Sequence, residues 1–184
     1  MNFVHYDYFL FRAMNDLAGQ SKILDWLVIF FADYSQYLLG AAALIFLFYP
    51  KKDRTKNWEM MELALISAII ARFIIKPIIV LIWSRLRPFA VLSDAHQLVS
   101  VSTFDNWQSF PSGHALFFFG ASTIIYAYNK ELGIFFYGIS FFMAISRVIA
   151  GVHWLSDIIF GAAIGMIIGI IVLDIFKKSK HDHF

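Results

Sequence analysis

The chain has 184 residues, 60% of them hydrophobic and only 15% charged, with a mean hydropathy of +0.68. A soluble domain of this size does not carry so much apolar surface, so the bilayer is the expected solvent. The absence of cysteine excludes disulfides, thiolate catalysis and Cys-ligated zinc or iron–sulfur centres, and the formal net charge of +2 says less than the placement of the cations.

The opening Met1-Asn2-Phe3-Val4-His5-Tyr6-Asp7 lacks a basic region followed by a clean apolar run, so no cleavable signal is expected. The polar-interrupted stretch Phe3–Leu17 reads as an interfacial helix. Ile23–Ala32 is too short to cross alone and is set off by Asp33-Tyr34-Ser35-Gln36, so it reads as interfacial or re-entrant. Spans are expected at Tyr34–Tyr49, Trp58–Trp83, Ser112–Tyr128, Leu132–Ile149 and Leu155–Phe176. At about 1.5 Å per residue, most can cross a ~30 Å hydrocarbon core. The first is short and has room to begin earlier, inside Ile23–Ala32. The expected fold is thus an all-α integral membrane bundle of five to six transmembrane helices with an N-terminal interfacial helix. No repeat or linker divides it, so residues 1–184 read as one membrane domain: an N-terminal segment 1–33, a bundle 34–176 and a tail 177–184.

If the spans alternate, Lys51, Lys52, Arg54, Lys56, Lys130, Lys177, Lys178 and Lys180 all fall on one side, which should be cytoplasmic. The opposite side then holds the N-terminal segment, the long loop Ser84–Pro111 and the turn Gly151–Trp154. Every chemically suggestive cluster lies there. Arg85-Leu86-Arg87-Pro88 ends the second span, Pro111-Ser112-Gly113-His114 opens the third, and Ser146-Arg147, His153 and Asp157 surround the turn between the fourth and fifth.

Arginine is costly at a membrane helix end unless an anion or water awaits it, and its planar fork suits phosphate oxygens. The Pro-Ser-Gly start of a helix offers free backbone N–H groups and the positive end of the helix dipole, a cradle for a phosphate. His153 and Asp157 are four residues apart. On one helix face, the carboxylate can take the proton of one ring nitrogen and leave the other free to attack, as in a catalytic triad without its serine. His114, on another helix, can protonate a leaving oxygen.

Arg87-Pro88, Pro111-Ser112-Gly113-His114 and Ser146-Arg147 followed by His153 and Asp157 resemble the motifs of the type 2 phosphatidic acid phosphatase superfamily, across residues 76 to 157. Met14-Asn15-Asp16-Leu17-Ala18, Leu24-Asp25 and Asp33-Tyr34 are similar to the bacitracin-resistance branch, the undecaprenyl-diphosphate phosphatases. The resemblance implies that His153 forms a phosphohistidine, Asp157 orients it and His114 is the general acid. Arg87, Arg147, Ser112 and Gly113 would hold the phosphoryl oxygens, with no metal or cofactor. It further implies a lipid phosphate or diphosphate as substrate, undecaprenyl diphosphate first, and a bacterial inner membrane with the site facing outward. No nucleic acid or obligate protein partner is expected. The chain departs from the family in one place. The lysine expected seven residues before Arg87 is Val80, and the nearest lysine, Lys76, lies eleven before. Four residues are about one helical turn, which keeps the face but moves Lys76 about 6 Å along the axis. It would reach a phosphate by snorkelling, or Arg85 would take its place.

Each feature alone has a plainer reading. Arg85 and Arg87 can snorkel to headgroups, Pro-Ser-Gly is a common helix start, and His153 with Asp157 can be a structural hydrogen bond. Two histidines and an aspartate can bind a metal, but flanking arginines repel a cation. Arg72 and Glu62 inside the second span read as ion-paired or headgroup-bound. His96, Asp105, His5 and the tail His181-Asp182-His183 read as solvated. The rival of another class is a transporter or headgroup-binding protein. It would need neither two histidines nor an orienting carboxylate, and the broken-helix repeats of transporters are not evident. Phosphatidylglycerophosphate, phosphatidate and a lipid A phosphate are the alternative substrates.

Overall fold

The computed structural model describes residues 3–48 and 54–181; Lys51, Lys52 and the end of the tail lie outside them. Among these residues the architecture is helical. Helix α1 spans Phe3–Asn15. Two long helices follow, α2 (Lys22–Phe48) and α3 (Arg54–Ile82), then α4 (Gly113–Tyr128), α5 (Lys130–Ile149) and α6 (Leu155–His181). Four of these, α2, α3, α5 and most of α6, are long and apolar enough to cross a membrane. Large side chains such as Ile23, Leu81 and Ile82, all at least 75% exposed, cover their outer faces, where only lipid makes such exposure favourable. The chain is an integral membrane protein.

Ile23–Ala32 is not a separate interfacial or re-entrant piece; the first span begins earlier and takes it in, as that span's shortness allowed. That stretch is the first half of α2, which runs through Asp33-Tyr34-Ser35-Gln36 as a π turn over Phe30–Tyr34. The polar residues that looked like a break are satisfied inside the helix and the bundle. Ser35 Oγ donates to the Phe31 carbonyl (2.6 Å) and Gln36 Nε2 to that of Asp33 (2.8 Å), while Asp33 faces Arg147 at 3.6 Å. A second π turn, Ile70–Ile75, interrupts α3. Each inserts an extra residue into the turn and re-aims the side chains beyond it.

Helix α4 is the centre, packed against α3, α5 and α6. Its 16 residues are short for a span, yet Leu116, Ile124 and Ile125 are almost wholly buried. Close packing on α6 depends on small residues. A Cβ on Gly165 would stand 2.5 Å from the Leu116 carbonyl oxygen, so the two backbones meet where only glycine fits, the usual device when no hydrophobic force drives helices together in lipid. Leu39, Met60, Leu63, Phe136 and Met143 complete the core where α2, α3 and α5 close on α4. Helix α1 is pinned by Phe11, fully buried with its ring 5.1 Å from that of Trp154. At the far end of the bundle, Glu59 accepts from Tyr128 Oη (2.5 Å) and Lys180 Nζ (2.7 Å), joining α3, α4 and α6.

Candidate active site

His153 lies in the turn before α6 rather than on it, so its pairing with Asp157 is not the helix-face contact the spacing suggested. The turn makes it instead. Asp157 Oδ2 accepts the Trp154 backbone N–H at 2.9 Å, as a carboxylate in the first turn of a helix caps the residue that begins it. This folds the chain back and sets His153 Nδ1 3.4 Å from the same oxygen. Ser109 Oγ donates to Oδ2 at 2.5 Å and Arg85 Nη1 to Oδ1 at 2.8 Å. Asp157, fully buried, is therefore fixed by four groups from three segments of the chain.

Past Ile82 the chain leaves the helix, and the segment through Arg87 runs alongside residues 106–109: Arg85 N–H donates to the Trp107 carbonyl, Arg87 N–H to that of Asn106 and Ser109 N–H to that of Arg85. Alternate residues of an extended chain share a face, and here both arginines of Arg85-Leu86-Arg87 straddle the His153–Asp157 pair. Arg87 Nη1 lies 3.0 Å from His153 Nε2 and donates to the Val152 carbonyl at 2.7 Å, and its Nε donates to the Asp105 carbonyl at 3.0 Å. A guanidinium only donates, so Nε2 is the acceptor and Nδ1 carries the proton toward Asp157, a tautomer assigned from the network. Burial, and then the charges of Arg87 and Arg147, hold the imidazole well below its usual pKa. It is neutral at pH 7, with a lone pair on Nε2.

Beside it opens a polar cavity of about 500 Å³, lined among others by Asp33, Gln36, Arg72, Lys76, Arg87, Asp105, Gly113, His114, Arg147 and His153. Four cations against two carboxylates, with the start of α4 in the wall, make an anion site. Arg147 is held by the Ala32 carbonyl at 3.0 Å. The other residues expected at the site divide. Lys76 does reach it: helical arithmetic put it a turn too far because it assumed that the helix continued to Arg87, whereas the chain turns out of the helix after Ile82 and the π turn precedes Lys76. A Cβ on Gly113 would stand 3.4 Å from both Lys76 Nζ and Arg72 Nη1, so the glycine leaves the cations open to a ligand. Arg85 does not substitute for Lys76. It points away from the cavity to Asp157 and to Asp7 Oδ2 (2.5 Å). Ser112 is buried, and its N–H is not free, since it donates to the Asp157 carbonyl at 3.0 Å; its hydroxyl has no partner among the described residues.

Arg72 and Asp105, read from sequence as paired or solvated, both line the cavity. Glu62 is exposed and makes no ion pair among the described residues, and His96 and His5 are exposed as expected. Asp7 was not foreseen. It is 4% exposed and accepts from Arg85, from Ser156 Oγ (2.5 Å) and from Ser156 N–H (3.0 Å). A lone aspartate in an aromatic N-terminal helix gives no spacing signal that would tie it to residues 85 and 156.

An apolar bundle with a cation-walled cavity at one end defines the class, an integral membrane lipid phosphatase. The chain belongs to the PAP2 superfamily, whose model matches residues 61–181. It is 33% identical, over its whole length and 87% of the relative, to the Bacillus licheniformis bacitracin transport permease protein BcrC. It is 26% identical to undecaprenyl-diphosphatase BcrC of Bacillus subtilis, over 89% of this chain and 80% of that one. Among solved structures, it is similar to LpxE of Aquifex aeolicus at TM-score 0.69 and 28% identity, covering 90% of this chain and 93% of that one. A Bacillus subtilis PAP2-type phosphatidylglycerolphosphate phosphatase, 22% identical with TM-score 0.64 over 97% of this chain and 88% of its own, shares the fold.

Proposed function

We propose that this chain, acting as one membrane domain, hydrolyses undecaprenyl diphosphate to undecaprenyl phosphate and inorganic phosphate, at the outer face of a bacterial inner membrane. The observation that carries the chemistry is the buried His153, whose Nε2 faces Arg87 at 3.0 Å beside a cavity of cations. The similarity to the undecaprenyl-diphosphatase BcrC of Bacillus subtilis supports the substrate.

Arg87, Arg147, Lys76 and the Gly113 N–H hold the distal phosphoryl oxygens, which takes Arg87 off His153. Nε2 then attacks phosphorus, the bond to the bridging oxygen breaks, and His114, protonated once the negative charge of the diphosphate is bound beside it, gives that oxygen a proton. Asp157 keeps Nδ1–H oriented and stabilises the cationic phosphohistidine. In the second step His114 takes a proton from water, which attacks phosphorus and frees His153 and inorganic phosphate. Positioning and charge supply most of the rate, and no metal is needed.

The test is phosphate release by the purified protein in detergent with excess EDTA, from undecaprenyl diphosphate, phosphatidylglycerophosphate, phosphatidate and a lipid A phosphate. Chelator-resistant turnover fastest on undecaprenyl diphosphate, and a phosphoryl group trapped on His153, are expected. Turnover abolished by EDTA, or another lipid ranking first, would contradict the mechanism or the substrate respectively.

A further inference from the structure

We infer that Arg72, with Gln36 beside it, binds the phosphate that stays on the lipid, and so makes the site selective for diphosphates. The inference rests on the phosphohydrolase reading of the cavity. A second cavity, of about 490 Å³, runs between α2, α3, α4 and α5 and is walled by side chains such as Leu39, Ala43, Ala68, Phe117 and Ile125. Three residues, Gln36, Arg72 and Phe73, line both it and the polar cavity. They therefore mark the junction between the place for phosphoryl chemistry and a groove with the character of hydrocarbon. A lipid diphosphate spanning the two would put its distal phosphate by His153, its chain in the groove and its proximal phosphate at this junction.

The charges there are arranged for such a group. Arg87 and Arg147 are tied to backbone carbonyls. Arg72 has neither a hydrogen bond nor an ion pair among the described residues; it rests over the Phe73 ring at 5.7 Å and feels the Asp105 carboxylate across the cavity without touching it. An arginine inside a spanning helix is costly without an anion to meet it, and Arg72 sits within the π turn Ile70–Ile75, the kind of irregularity that re-aims side chains at functional sites. Arg72 Nη1 lies 3.4 Å from where a Gly113 Cβ would be, as does Lys76 Nζ. The fork of Arg72 can therefore share a ligand with the lysine that serves the distal group. The carboxamide of Gln36 can add a donor to the bridging or proximal oxygens. A monophosphate has no group to place at this junction and gains little from Arg72.

The experiment compares farnesyl diphosphate with farnesyl phosphate, one chain with two headgroups, on wild type, Arg72→Gln and Arg72→Lys. Inhibition by farnesyl methylenediphosphonate, which binds without being cleaved, is measured alongside. For Arg72→Gln, kcat/KM on the diphosphate should fall by about a hundredfold, mostly through KM, and inhibition by the phosphonate should weaken in step. Turnover or competitive binding of the monophosphate should change less than about threefold. Arg72→Lys, which keeps the charge in a well-tolerated shape, should fall between. Equal losses on both headgroups, or no loss, overturn the inference while leaving the phosphatase reading intact. A wild type that turns over neither compound, nor any lipid in the EDTA assay, ends the phosphatase reading first. A wild type that prefers the monophosphate overturns the diphosphate subsite alone.

Discussion

In the proposed mechanism Arg87, 3.0 Å from His153 Nε2, covers the lone pair that would attack phosphorus, and substrate would uncover it by displacing the arginine. His153→Ala should cost at least about 10³-fold in kcat, with the fold retained by circular dichroism, because both half-reactions pass through that ring. The pH dependence has a definite sign. The nucleophile must be neutral, and burial together with Arg87 lowers its pKa. The acid limb of kcat/KM should therefore lie below the ordinary imidazole range near pH 6.5. A limb at or above that value in the wild type contradicts the assignment. The second residue-scale prediction concerns Asp7, three contacts removed from His153. Asp7→Asn weakens the charge that holds Arg85 on Asp157. It should lower kcat about tenfold to a hundredfold by loosening the carboxylate, with KM little changed. A rise in KM at constant kcat would instead make Asp7 part of substrate binding.

At the scale of elements, the sequence shows the span pattern and the three motif clusters because apolar length and unusual residue types are local signals. It hides what depends on helical irregularity. Nothing in Phe30-Phe31-Ala32-Asp33-Tyr34 or Ile70-Ala71-Arg72-Phe73-Ile74-Ile75 announces a π turn, so α2 looked broken, Lys76 looked a turn out of reach and Arg72 looked merely paired. Asp7 was hidden for a different reason, since its partners are 78 and 149 residues away. The π turn in α3 can be tested directly. Removing Ile74, half-exposed on the lipid side, should let the helix relax to α geometry and re-aim Lys76 relative to Arg72, three residues apart on an α-helix instead of four across a π turn. The variant should still insert and run as a folded protein on size exclusion, yet lose phosphate release. Retained activity would mean that the bulge is not what aims Lys76 at the cavity.

For the whole molecule, the question is which way the bundle faces. The cavity and the turn at Gly151, whose φ of +78° reverses the chain between α5 and α6, sit at one end. Arg54, Lys56, Lys130, Lys178 and Lys180 crowd the other, where Lys180 and Tyr128 meet on Glu59. The proposed orientation follows from the excess of cations, which tends to stay cytoplasmic: it would put that basic end in the cytoplasm and the phosphate chemistry outside. Because the chain has no cysteine, single reporters can read this without background. Ser93 and Lys178 are exposed at opposite ends, and neither touches the cavity. In intact cells, Ser93→Cys should react with a membrane-impermeant maleimide, and Lys178→Cys should react only after the membrane is opened. The reverse pattern would turn the site inward, and a lipid phosphate released on the cytoplasmic leaflet would then have to be the substrate.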